Sequence, residues 1–205
     1  MSDQTLGLSF REIMAGGFAL GATDPEDGRR QGERAGTELA MHATVSIADL
    51  DRFFAEPMHT GSLSGTIDFP PLGLAIPAPT GIFNLFSPGD QPKLKLMVYE
   101  LGFTQGGKSY YLAGRKEVRN DPGFDLWTDT TTLFTRLHEG TDATGAVVGA
   151  GTLSLGVAAL IRMLGTVQIL NAATPAQKAA ALARFGQFFL GELWDSYRPH
   201  LGRGG

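Results

Sequence analysis

Three ionisable side chains sit where an apolar pattern gives them little route to water. Glu12 interrupts Phe10, Ile13 and Met14, Lys116 ends an apolar strand face beside Arg115 and Glu117, and Asp129 shares a strand face with Trp127 and Leu133. Burying such groups shifts their pKa values toward neutrality and suits them to proton transfer or to orienting a polar group. The plainer account of each is a rim residue or an ion-pair partner. Asn84, between Phe83 and Leu85, is similar: a buried amide either orients a ligand or satisfies neighbouring backbone.

Other chemistries find no support in the spacing. His42, His59, His138 and His200 have neither HxH nor HExxH spacing, so no metal site is expected. Gly145, Gly149 and Gly151 stand in the wrong order for a dinucleotide fingerprint. Gly106-Gly107-Lys108-Ser109 lacks the upstream glycine of a phosphate loop. No cofactor is therefore expected within this chain. Ser62 and Ser64 in Gly61-Ser-Leu-Ser-Gly65 lie in a strand pattern, not at a strand-to-helix elbow, so a hydrolase nucleophile is not expected either.

Composition narrows the class further. At 205 residues the chain suits one large domain or a domain with an appendage, and it has no cysteine to build a disulfide, thiolate or thiol site. A net charge of −4 argues against nucleic acid, because phosphate binding needs clustered cations and Arg29, Arg30 and Arg34 are interleaved with Glu26, Asp27 and Glu33. Met1 to Phe10 lacks the pattern of a secretory signal, and no apolar run reaches the ~18 residues of a membrane span. A soluble, cytoplasmic protein is expected.

The elements that must position these residues are mostly strands. Leu6 to Leu20, Thr37 to Ile47, Ser62 to Phe69, Leu74 to Phe86, Phe124 to Leu137 and Val147 to Leu155 carry strand character. Pro77 and Pro79 confine the first half of the fourth to a sheet edge or loop. Thr23 to Gly36, polar and Gly-rich, reads as a mobile loop. Asp49 is an N-cap for a short helix over Leu50 to Ala55. The strongest hairpin spans Leu94 to Val118, with Gly106-Gly107 as its two-residue turn. Its register pairs Phe103 with Tyr110, Leu101 with Leu112 and Tyr99 with Gly114, which puts Met97, Tyr99, Leu101, Phe103, Tyr110, Leu112 and Lys116 on one face.

Strands joined by turns imply antiparallel pairing, and closure removes exposed edges. The expected fold is mainly β: an antiparallel barrel or strongly curved sheet, lipocalin-like, over residues 1–156, with a helical tail over 157–205 packed on it. Helical spacing covers Val157 to Leu170. A second helix begins at Thr174-Pro175 and carries Leu182, Phe185, Phe188, Phe189, Leu193, Trp194 and Tyr197 on one stripe.

Four segments together resemble a known family: Leu8-Ser-Phe-Arg-Glu-Ile-Met-Ala-Gly16, Gly81-Ile-Phe-Asn-Leu-Phe86, the stretch from Gly114 to Phe134, and Leu182 to Trp194. The resemblance, most specific from Gly114 to Phe134, is to the accessory region found beside GMC-type, cholesterol-oxidase-like flavin oxidoreductases. It implies a role near the oxidation of sterols or other lipophilic alcohols and brings no catalytic residues with it. The flavin domain is missing from this sequence, so any such oxidase would be a separate protein.

Three functions follow as expectations. The first is a binding module for a lipophilic small molecule, sterol- or lipid-like, acting beside a flavin oxidoreductase. Phe83, Tyr99, Phe103, Tyr110 and Trp127 would form its wall, and Asn84, Lys116 and Asp129 would orient a hydroxyl or carbonyl. The second is a cofactor-independent isomerase or lyase on a ketosteroid-like substrate, using Glu12, Asp129 or Lys116. The third is a protein-interaction domain with a filled barrel.

Overall fold

The structure, a computed structural model, describes residues 5–91, 94–118 and 132–197. Its strands are β1 (Gly7–Leu20), β2 (Glu38–Ile47), β3 (Thr60–Phe69), β4 (Gly73–Pro88), β5 (Lys95–Gln105), β6 (Lys108–Val118), β7 (Thr132–Glu139), β8 (Val147–Ser154) and β9 (Gln168–Leu170). Four helices are described: α1 (Pro25–Ala35), α2 (Leu50–Ala55), α3 (Val157–Gly165) and α4 (Pro175–Tyr197).

Strands β1 to β8 form an antiparallel meander in chain order, and β1 pairs with both β2 and β8, closing the barrel. The expected barrel is therefore the observed one. Period-two alternation sends Leu8, Phe10, Glu12 and Met14 inward from β1 and Leu39, Met41, Ala43, Val45 and Ile47 inward from β2. The β5–β6 hairpin adopts the expected register, with Phe103 opposite Tyr110 and Tyr99 opposite Gly114. Gly106 and Gly107 have φ of 59° and 77°, the positive values that a type I′ turn demands at both central positions. Pro77 and Pro79 precede Thr80, where the ladder to β5 begins, so their missing donors remove nothing from it.

Two expectations need correction. The segment from Thr23 to Gly36 is not a loop. Asp24 accepts from the backbone N–H groups of Glu26 and Asp27, Pro25 occupies the first turn, and Gly36 closes α1 in the left-handed region. The face of α1 that packs on β1 and β8 is made of Pro25, Gly28 and Gly32, so backbone approaches backbone there. Helical spacing does not run to Leu170 either: α3 stops at Gly165, and Gln168–Leu170 forms β9, which pairs with Gly7–Ser9 of β1. The tail thus contributes a strand. Because β8 covers only Ala15–Leu20 of β1, β9 supplies a partner for an otherwise open edge. Of the expected strand from Phe124 to Leu137, the described part starts at Thr132; Trp127 and Asp129 lie outside the described residues.

Helix α4 lies against one end of the barrel. Thr174 Oγ1 accepts from the Gln177 N–H at 3.2 Å, as expected of an N-cap. Phe188 meets Phe54 and His59 at centroid distances of 5.2 and 4.8 Å, and Phe189 meets Phe86 at 5.5 Å. Ion pairs Arg184–Asp51 and Lys95–Glu192 flank this cluster. Among the described residues no helix is long and apolar enough to cross a membrane.

A Cβ added at Gly28 would stand 2.0 Å from the Ala150 carbonyl oxygen, and one at Gly32 would stand 2.2 Å from the Phe18 nitrogen. Gly28→Ala and Gly32→Ala should each cost about 1–3 kcal/mol in thermal or denaturant unfolding, because α1 must lift from the barrel. Gly186→Ala in α4, with no atom within 4 Å of the new methyl, should instead stabilise by about 0.4–1 kcal/mol.

Candidate functional site

In the closed order β1 and β5 lie on opposite sides of an eight-stranded ring. Glu12 on β1 therefore points across the lumen toward Tyr99 on β5 and Lys116 on β6. The Tyr99 hydroxyl donates to the Glu12 carboxylate, and the Lys116 ammonium attracts it. Lys116 Nζ also lies 5.1 Å from the centroid of the Tyr99 ring, within reach of its negative face. Small residues open the lumen for these long side chains. Glu12 pairs with Ala43, Ala43 with Gly65 and Gly65 with Ala78. On the far wall Tyr99 pairs with Gly114, Gly114 with Thr135 and Thr135 with Gly151.

Burial dominates the electrostatics of this cluster. Desolvation raises the Glu12 pKa above the usual carboxylate value, with Lys116 and the Tyr99 hydrogen bond acting against it. Desolvation likewise lowers Lys116 to about 8, opposed by the Glu12 charge. Tyr99 is pushed well above its ordinary value by burial and by Glu12, so it remains a donor. Among the described residues Glu12 Oε1 is a buried side-chain acceptor that receives no hydrogen bond. An unsatisfied acceptor of this kind costs roughly 1–3 kcal/mol, more if it is charged.

Phe10 and Phe83 adjoin the cluster: their rings meet edge-on at 6.1 Å, and Phe83 meets Tyr99 at 5.1 Å. Phe10, Glu12 and Tyr99 retain 8, 5 and 4 % exposure, whereas Met14, Leu101 and Leu133 show 0 %.

The structure brings together Phe83, Tyr99 and Lys116 among the expected wall and anchor residues, and adds Glu12 and Phe10. Phe103 and Tyr110 stack on each other at 5.5 Å near the hairpin turn. Phe103 lies four residues from Tyr99, about 13 Å along the strand. Asn84 belongs elsewhere: it pairs with outward-facing Val98, and its Nδ2 donates to the Met58 carbonyl at 3.1 Å and to Thr60 Oγ1 at 2.8 Å. It satisfies neighbouring backbone, the plainer of its two readings. The contact of Phe10 with Phe83 was not legible in the sequence, since it depends on which strands oppose each other.

A concavity lies outside the barrel, a groove of about 390 Å³ against α2 whose lining mixes Asp49, Arg52, Glu56 and Ser62 with Ala48 and Phe53. Arg52 is engaged by Glu56 at 2.6 Å, and the Asp49 carboxylate caps α2.

Comparison of the chain with protein-family models, with curated proteins and with solved structures returns no match.

The buried pair makes a prediction with a defined sign. Lys116→Met removes the cation that offsets Glu12 burial and should destabilise by about 3–5 kcal/mol near neutral pH. Folding raises the Glu12 pKa, so protonated Glu12 favours the native state and that contribution is lost as pH rises through the folded value. The cost of Lys116→Met should therefore shrink in acid. The double variant Glu12→Gln/Lys116→Met should recover most of the loss, and additive costs in denaturant unfolding would contradict the coupling.

Proposed function

We propose that this protein binds a lipophilic small molecule carrying a hydroxyl or carbonyl group, and that Glu12, Tyr99 and Lys116 form the polar anchor for that group. The observation that carries this reading is the unsatisfied Glu12 Oε1, buried inside an apolar barrel beside Tyr99 and Lys116. A ligand hydroxyl would donate to that oxygen. A ligand carbonyl would accept from the Lys116 ammonium. Phe10 and Phe83 would supply the apolar contact that holds the remainder. The family resemblance supports a sterol-like alcohol or ketone and a separate flavin oxidoreductase as the protein that makes or consumes it.

A second reading has its own support. Glu12 and Lys116 are both displaced toward neutrality, so the cluster holds an acid and a base within one apolar site. An isomerase acting on an unsaturated ketone would move a proton α to the carbonyl with Glu12, while the Tyr99 hydroxyl stabilised the developing enolate oxygen.

Thermal unfolding with a panel of sterols, steroid ketones, fatty acids and bile acids tests the first reading. One class should stabilise the protein saturably, by about 2.7 kcal/mol when the free ligand is a hundredfold above Kd. Tyr99→Phe should weaken that binding roughly tenfold, equivalent to about 1.4 kcal/mol. Deuterium exchange at the α-carbon of a bound ketone, lost in Glu12→Gln while binding persists, would select the isomerase reading. Absence of stabilisation by every lipophile would contradict both and favour a filled barrel that acts through its surface.

A further inference from the structure

Inside the barrel Lys116 is 2 % exposed, with the Tyr99 ring against its ammonium and the Glu12 carboxyl beside it. These are the parts of a carbonyl-condensing site: an amine, an acid that can give up a proton, and an aromatic donor, all screened from bulk water. We propose that Lys116 captures lipophilic aldehydes or ketones as a covalent imine, with Glu12 as proton donor and then counter-ion. This rests on the binding reading above and narrows its ligand class from alcohols and carbonyls to carbonyls.

The chemistry balances without an oxidant or a cofactor. The neutral Lys116 amine attacks the carbonyl carbon, forming the C–N bond as the C=O π bond opens, and proton transfer from nitrogen to oxygen gives a carbinolamine. Protonated Glu12 transfers its proton to the carbinolamine hydroxyl, which departs as water. The nitrogen lone pair closes the C=N bond. The products are a protonated imine on Lys116, the Glu12 carboxylate and one water. Glu12 Oε1, without a partner before reaction, then faces a fixed cation. Desolvated lysines are the lysines that carry out this chemistry, because burial leaves more of the amine neutral. With the Lys116 pKa lowered to about 8, capture should accelerate as pH rises toward that value and slow again once Glu12 has lost the proton it must donate.

The test uses trans-cinnamaldehyde and cinnamyl alcohol as matched probes, with cyanoborohydride to reduce any imine. The expected result is a single added mass equal to the aldehyde less one oxygen. Peptide mapping should place it on Lys116 rather than on exposed or half-exposed Lys95, Lys108 or Lys178. The alcohol should give no adduct and should slow the reaction of the aldehyde by competition. Glu12→Gln should react at least tenfold more slowly, and Glu12→Gln/Lys116→Met should stay folded by circular dichroism and give no adduct at the barrel site. If both probes stabilise the protein but no adduct maps to Lys116, covalent capture is overturned and the binding reading stands. If labelling falls only on surface lysines and neither probe stabilises the protein, both are overturned.

Discussion

The structure turns on one costly arrangement, a carboxylate and an ammonium taken out of water in the lumen of a closed barrel. Neither charge is sustainable alone in that setting, and each lowers the cost of the other. The Tyr99 hydroxyl adds the hydrogen bond that a carboxylate beside a hydrocarbon wall requires. Around them the barrel yields space: Ala43, Gly65 and Ala78 follow Glu12 around one wall, and Gly114 and Gly151 belong to the other. Larger side chains at the glycines would collide with their neighbours: a Cβ at Gly65 would stand 1.9 Å from the His42 carbonyl oxygen, and one at Gly114 2.6 Å from Leu133.

The remaining elements hold this lumen closed. Because β8 leaves the other edge of the first residues of β1 open, β9 returns from the tail to pair with Gly7–Ser9 there. Glycines on α1 bring that helix against the outer surface of β1 and β8, the seam where closure occurs. At one end Phe185, Phe188 and Phe189 of α4 pack with Phe53, Phe54 and Phe86. The seam and this end are thus sealed by packing.

Much of this was legible in the sequence, for local reasons. A Gly-Gly turn fixes hairpin register without reference to the rest of the chain, so the face carrying Tyr99 and Lys116 could be read directly. Glu12 and Lys116 stood out as ionisable residues in apolar strands. Their meeting could not be read, because it depends on β1 standing opposite β5 in a ring, a property of closure rather than of any segment. Helix α1 was illegible for a different reason. Its buried face is Pro25, Gly28 and Gly32, residues that serve close backbone contact yet carry the composition of a loop. Gln168–Leu170 continues a helical spacing, and only the vacant edge of β1 makes it a strand. Asn84 shows the limit of reading burial alone: a polar residue between apolar neighbours proved to serve the turn beside it.

The most direct measurement of the central claim is the 13C chemical shift of the Glu12 side-chain carboxyl, followed by NMR across pH with and without a saturating lipophilic alcohol. The account predicts a titration midpoint above the ordinary carboxylate value in the free protein, and a displaced resonance and midpoint once a ligand hydroxyl engages Oε1. A Glu12 that titrates as an exposed carboxylate, with a resonance indifferent to every lipophile offered, would contradict it.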